Sequence, residues 1–473
     1  MKKTLNVLLS FVFLTSLMLL TVHIFPEMKT VLGLHALIPH KSMGGEYQKV
    51  VEISLGSVSP LYFQRMGRPG GEVLFAPGGG LLAVGTENGD VLMLTQKGEK
   101  LWSKRMGLAT ISAMAFSPDG KRVLVGETSP RGSLTCFEAM SGRELWRMDT
   151  RQDLGINLDQ KIYPAILYIT MDSLGNVYAV GLRYEFNSVG QREYISRLYK
   201  FSPSGNLMQK FPVDHNIDAW VGSLAVTSLG ERMIFGTSNF HLMNNLRYPD
   251  QVYCLDNQEN RILWSDRLDV RPPYQTTTVR HAPAITPDGQ TYGIAVGDGR
   301  VIAYNSDGSK KWTRELSQPW KIGGSYLRVT PLATKAVGEN LAFFTSTTSN
   351  LANFQIPTPM EHPNGNSVFL FDAQGAIKGK YTANGIITNM SIGGNKIAIS
   401  VGINIQTKSV RSHGVAILGE NDAELLDYIS MVGPCIFVAI SSDGHTISAI
   451  EAPLKLNDGG IIGEYRLHMW SKE

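Results

Sequence analysis

The sequence predicts an all-β fold: an eight-bladed β-propeller preceded by one N-terminal transmembrane helix. Three observations carry that prediction. One apolar stretch stands near the N-terminus, a four-strand unit recurs down the rest of the chain, and one leftover strand precedes the first unit. Composition agrees with them. Of 473 residues 43% are hydrophobic and 18% charged, so a sizeable core is available and disorder is excluded as the main state. Glycine, with 48 residues, stands above its usual share of ~7% and implies many tight turns.

Lys2 and Lys3 precede LNVLLSFVFLTSLMLLTVHIF (5–25), which holds one His and no charged residue. As a helix this stretch spans roughly 30 Å, the thickness of a bilayer core. A cleaved secretory signal has an apolar region of about 7–15 residues that ends in small residues. Here the run is longer, Pro26, Glu27 and Met28 follow it, and no lipid-attachment cysteine is present. Residues 1–26 therefore read as an uncleaved signal anchor, with secretion after cleavage as the alternative. The two lysines hold the N-terminus in the cytoplasm. The expected localisation is the cell membrane, single-pass, with the propeller outside the cytoplasm. Residues 27–46 contain Pro, Gly and Ser without sustained periodicity and read as a tether.

The recurring unit opens on an apolar strand and a tight turn: AFSPDG (115–120), AITPDG (284–289), AISSDG (439–444). A strand rich in Val, Ala and Gly follows, as in RVLVGET (122–128) and TYGIAVGDG (291–299). A third strand then meets a polar turn and a Trp, as in SLTCFEAMSGRELW (133–146) and RVIAYNSDGSKKW (300–312). Alternation with period two marks half-buried strands, and Asp-Gly and Ser-Gly mark hairpin turns. Four-strand repeats of about 40–50 residues read as propeller blades. Complete units start near Glu72, Thr110, Pro164, Val221, Arg280, Arg328 and Ile386; an eighth starts at Gly433 and supplies three strands. The strand YQKVVEISL (47–55) is left over. As the outer strand of the last unit it closes the ring and removes the open edge. Residues 47–473 thus read as eight blades closed by pairing of 47–55 with the C-terminal blade. Seven blades is the alternative, because the third and seventh units diverge.

The order of apolar strand, Asp-Gly turn, Gly-containing strand and xxxGxxxW resembles the PQQ-like repeat. That repeat builds the eight-bladed propellers of quinoprotein alcohol dehydrogenases, and of cofactor-free members such as the outer-membrane assembly lipoprotein of the BAM complex. The resemblance covers most of the chain after residue 47 and is clearest in units one, two, four and five. It implies a fold and leaves function open. It also implies that Trp102, Trp146, Trp264 and Trp312 pack between neighbouring blades, as the family's Trp does. Phe211, Tyr381 and Tyr428 stand near that position in units three, six and seven. The family's dehydrogenases carry a vicinal disulfide and a Ca²⁺-binding Glu/Asn/Asp set. Here Cys136, Cys254 and Cys435 are never adjacent, so no quinone or other cofactor is expected.

Other chemistry leaves little trace. A net charge of +3 is too small for a dedicated nucleic-acid binder. HExxH, GxSxG and a phosphate loop are missing, the histidines are dispersed, and no metal site is expected. Connection length is more informative, because short turns are mostly structural and long loops often functional. The turns between strands one and two, and three and four, are short. Long segments fall in the other classes: 150–163, 270–280 and 317–327 between units, and 183–193, 239–250, 346–366, 403–413 and 452–464 within them. One face is therefore expected to be elaborated and the other plain. Tyr163, Trp220, Tyr274, Trp320 and Tyr326 supply aromatic area there, and Arg183, Arg271, Arg280, Lys321 and Arg328 supply donors, the residue types enriched at binding hot spots. Aligning RHAPAIT (280–286) with RVTPLAT (328–334) puts Arg280 and Arg328 at one repeat position, with His281 alongside. Both arginines are expected at the mouth of the central channel, holding an anionic group or pairing with Asp214, Asp218 or backbone carbonyls. The expected function is a non-catalytic scaffold that binds a protein partner or envelope polymer through this face. The alternative is an enzyme, a quinone-dependent oxidoreductase or a lyase, with a small-molecule site at the channel mouth.

Overall fold

The computed structural model describes residues 46–61, 70–239, 246–279, 282–353, 356, 358–403, 413–456 and 458–472. The expected anchor helix, and the tether up to its last residue, lie outside the described residues. Among the described residues no helix is long and apolar enough to cross a membrane.

The chain is an all-β propeller. Its strands run as antiparallel meanders, each counted from its innermost strand outward. The first is Gly71–Phe75, Leu81–Thr86, Asp90–Thr95 and Lys100–Arg105. The second to seventh span 110–149, 165–211, 224–267, 284–315, 331–382 and 387–430. The second and third are joined into one sheet through Ala165 and Thr128. The last meander takes Cys435–Ile440, Thr446–Glu451 and Arg466–Ser471 from the C-terminal end. Its fourth strand is Gln48–Ser54, antiparallel to Arg466–Ser471 with Glu52 opposite His468. Second strands such as Leu81–Thr86 and Thr446–Glu451 are buried almost throughout, whereas outer strands such as Lys100–Arg105 are mostly exposed.

The hydrophobic core is divided among the seams between neighbouring meanders. Val73, Leu82 and Val84 of the first pack with Ile436, Ile450 and Leu467 of the last. Val91 and Met93 pack with Val123 and Val125 of the second. The same arrangement recurs at every seam around to Ala398 and Ile417 of the seventh against Val438 and Ile447 of the last. Nonpolar burial is the main favourable term in folding, so each meander depends on both neighbours.

Four tryptophans bind one meander to the next. In the outer strands Trp102, Trp146, Trp264 and Trp312 stand opposite the small or flexible Met93, Cys136, Cys254 and Ala303, and a β-bulge follows each pair. A bulge adds local twist and re-aims side chains. Each indole crosses the seam and donates its N–H to a turn carbonyl: Ala139 at 2.7 Å, Pro203 at 3.3 Å, and Ser306 and Ala373 both at 3.2 Å. Beneath each ring lies a turn glycine, Gly142, Gly205, Gly308 or Gly375, where a Cβ would sit 2.5–2.7 Å from the indole. At the closing seam Val51 takes the corresponding place over Gly98.

The Asp-Gly turns are saturated by their own donors. Asp119 accepts from the Ser117 hydroxyl and the Lys121 N–H, and Asp288 and Asp443 repeat the pattern with Thr286 and Gln290, and with Ser441 and His445. Two expectations need correction. Residues 183–193 are no loop: Val177–Phe186 and Arg192–Phe201 stay paired up to Phe186 and Arg192, because alternating Tyr184, Phe186 and Tyr194 extend the strands. Arg328 does not open the sixth meander, which starts at Pro331; it ends a separate strand, Ser325–Arg328.

Candidate functional site

Strands alternate in direction, so the turns between strands one and two, and three and four, share one end of every meander. Those turns are brief, as at 117–121 and 139–143. At the opposite end the long connections between meanders occupy 150–164, 212–223, 268–283 and 316–330, beside short ones at 106–109, 383–386 and 431–434, and those within meanders include 237–250 and 346–366. Most of the sequence-predicted residues belong to this end.

The fifth meander organises one group. Its second and third strands are joined by Gly297-Asp298-Gly299, in which Asp298 is fully buried. Arg300 meets the Asp298 carboxylate at 2.7 Å and Arg271 meets it at 3.2 Å. Arg271 also reaches Glu315 at 3.0 Å. A buried carboxylate is tolerated only when paired in this way. Tyr274 donates its backbone N–H to the Arg271 carbonyl, and burial pushes its phenol up to about 12. The Arg328 guanidinium lies 5.7 Å from the Tyr274 ring centre, a cation–π contact. Arg328 donates to the Gly297 carbonyl at a long 3.5 Å, while among the described residues its Nε and the Tyr274 hydroxyl have no hydrogen-bond partner. Burial pulls the Arg328 pKa down, yet a guanidinium stays charged in proteins, and among the described residues this cation has no carboxylate partner. Neither expected aspartate meets it: Asp214 holds His215 at 2.7 Å, and Asp218 accepts the Arg247 and Tyr248 backbone N–H groups.

A hairpin organises the second group. Trp320–Ile322 pairs with Ser325–Arg328, which pairs with Ser349–Asn350. Lys321 and Tyr326 are cross-strand partners, and Lys321 is exposed. Trp320, 36% exposed, packs its ring against His362, with ring centres 4.7 Å apart and the planes tilted by 37°. His362 accepts the Asn364 N–H on Nδ1 and presents Nε2 to the Gln318 carbonyl, and burial lowers its pKa from 6.5.

The structure thus gathers Arg271, Tyr274, Trp320, Lys321, Tyr326 and Arg328 into two adjoining groups linked through Arg328. It does not gather the rest. Arg183 is buried in its strand, where it donates to the Leu154 carbonyl at 2.6 Å and pairs with Glu185 at 2.5 Å. Tyr163 is half-buried ahead of the third meander, and Trp220 forms a bridge with Ser238. Arg280 and His281 lie outside the described residues. Sequence reasoning missed Asp298, Arg300, Glu315 and His362. The Gly-Asp-Gly-Arg turn was a usable signal for the first two, whereas the other two become visible only through pairing.

Among the described residues no group of three His, Cys, Asp or Glu side chains is placed to hold a metal ion. The three cysteines are free and buried, and burial pushes Cys136 up to about 11 and Cys254 up to about 12, away from thiolate chemistry. A cleft of about 610 Å³ opens elsewhere, between the first and second meanders, and none of the expected residues lines it.

Known proteins bear on this geometry at the level of family and fold. A family model described as outer membrane protein assembly factor BamB matches residues 64–180 and 218–358, more than half of the chain. No curated protein matches the sequence. Among solved structures, the C-terminal WD40 domain of Sif2 is similar with a TM-score of 0.56 and 10% identity, covering 90% of this chain and 98% of that one. BamB from Moraxella catarrhalis is similar with a TM-score of 0.41 and 13% identity, covering 90% and 98%. The first of these likenesses agrees with the propeller fold, and the family match agrees with the repeat read from the strands and their Trp residues. The chain belongs to the PQQ-like repeat family described as outer membrane protein assembly factor BamB.

Proposed function

We propose that this chain is a membrane-anchored, extracytoplasmic propeller of eight blades that acts as a non-catalytic scaffold, binding a protein partner of the cell envelope through its loop-rich face. The meanders and the seam-by-seam division of the core support the blade count. The apolar run 5–25 behind Lys2 and Lys3 supports the anchor. The family's description as an assembly factor supports a scaffold role. The observation that carries the reading is the asymmetry of the connections: turns of a few residues at one end, and at the other long segments that bear Trp320, Lys321, Tyr326 and Arg328. Partly exposed aromatic and cationic side chains on rigid hairpins are what protein interfaces use as anchors.

Crosslinking affinity purification from native membranes tests this. Wild type is compared with Trp320→Ala/Lys321→Glu on the hairpin and with Lys121→Glu in a tight turn at the other end. A protein lost with the hairpin variant and kept with the tight-turn variant is the expected result. A partner kept by the hairpin variant, or a polymer or small molecule in place of a protein, overturns it. Protease access to the propeller in intact cells reads the topology separately.

A further inference from the structure

We propose that the cleft between the first and second meanders is a second binding site, and that its ligand is an extended acidic peptide with an apolar side chain among its carboxylates. The cleft opens at the loop-rich end, between the link 106–109 and the turn at 129–132, but neither Trp320 nor Lys321 lines it, and the proposal does not depend on those residues having a partner. The cleft, of about 610 Å³, lies within the size range of small-ligand sites. One wall is the end of the first meander's outer strand and the link after it, Lys104 to Leu108; the other is Glu127, the turn Ser129–Arg131, and Glu144 and Arg147 of the second meander's outer strand. Among the described residues only 106–109 join the first two meanders beside it, whereas 150–164 join the second and third.

Charge selects the ligand. Lys104, Arg105, Arg131 and Arg147 line the cleft against Glu127 and Glu144. Arg105 is paired with Asp90 at 3.3 Å and Arg147 with Glu144 at 2.9 Å. Lys104 lies over the face of Phe137, 5.7 Å away, and among the described residues neither the Lys104 nor the Arg131 side chain has an ion-pair partner. Two cations on opposite walls are thus available for carboxylates. Beside them lie Met106, partly exposed, and Leu108, 91% exposed, an apolar lip that free anions would not use, backed by the buried Phe137. Glu127 argues for a peptide. It is 4% exposed, and one carboxylate oxygen accepts the Ser129 hydroxyl at 2.7 Å. A buried carboxylate repels phosphate oxygens and favours an N–H donor, which a peptide backbone supplies beside its acidic side chains.

The test is fluorescence polarisation with a labelled octapeptide of alternating aspartate and leucine. A lysine–leucine octapeptide, inorganic phosphate and anionic phosphatidylglycerol vesicles serve as competitors. The expected result is salt-sensitive binding of the acidic peptide, weakened about tenfold or more by Lys104→Glu/Arg131→Glu and also by Leu108→Asp. Glu127→Gln is expected to weaken peptide binding and to strengthen phosphate binding. Binding that survives the charge reversal, equal binding of the lysine peptide, or displacement by phosphate or vesicles overturns the proposal. Lys104, Arg131 and Leu108 are exposed, so unchanged thermal melts are expected and separate lost binding from lost folding.

Discussion

Seams that a tryptophan crosses and seams that lack one differ on both sides of the contact. Trp102, Trp146, Trp264 and Trp312 each meet a glycine, at φ between 69° and 90°. The expected Phe211 and Tyr381 do not take the tryptophan's place: the residue paired just before the bulge is Gln209 in the third meander and Gly379 in the sixth, and there the receiving turns carry Asn260 and Ala423, at φ 53° and 55°. The left-handed turn is kept and the glycine is not. Turn geometry alone therefore does not require these glycines, since Asn and even Ala adopt the conformation. The indole requires them, because a Cβ would press into its ring. Asn260 uses the freed space to donate to the Lys210 carbonyl across the same seam. The closing seam is intermediate: Gly98 is retained, but the group above it is Val51.

The largest expected effect is that of Trp312→Ala, which removes a buried ring and its hydrogen bond and should cost about 3–5 kcal/mol in urea unfolding. A loss below about 1 kcal/mol would mean the seam is held by the aliphatic core alone. Next is Gly375→Ala, which should cost about 1–3 kcal/mol through overpacking against Trp312. Combined with Trp312→Ala most of that cost should vanish, and a double-mutant cycle that stays additive would uncouple glycine from tryptophan. At the closing seam Val51→Ala should cost only about 1 kcal/mol, because Val51 is partly exposed and loses two methyl groups. The smallest effect is that of Glu52 on the same strand. Hydrogen bonds from Lys49 and then Arg466 hold its carboxyl at about 2, below the ordinary 4.5. The folded pKa is depressed, so this stabilisation is complete above about pH 4.5 and is lost as pH falls towards 2. With Glu52 and Arg466 about a third exposed, screening should keep it below about 1 kcal/mol, and Glu52→Gln should flatten that part of the pH–stability curve.

Much of the fold was legible because a propeller repeats its signals. Strand, Asp-Gly turn and Trp recur at fixed offsets, and the leftover segment 47–55 had only one open edge to join. What was not legible is the pairing across seams. The motif xxxGxxxW places a glycine and a tryptophan in one hairpin, yet each tryptophan covers the glycine of the following meander, as Trp102 covers Gly142. The site was less legible for the same reason. Arg183 reads as a surface donor in sequence, but the strand extends past it and buries it against Leu154. Arg328 aligns with a repeat position and instead ends an inserted hairpin whose third strand comes from Ser349–Asn350. Trp320, Lys321 and Tyr326 do fall together, on a hairpin of short strands that leaves Trp320 and Lys321 exposed and Tyr326 partly so.

The closing strand also has a consequence in time. Glu52 and Arg466 are neighbours in the ladder but lie 414 residues apart in the chain. A chain made at roughly 5–20 residues per second leaves the strand at 48–54 without its partner for roughly 20–80 s. During that interval Val50, Val51 and Ile53 form an unpaired edge, open to pairing with other chains and blunted only by Lys49 and Glu52. The ring can close only after nearly all of the chain has been synthesised, so the strand made first is the last to be joined.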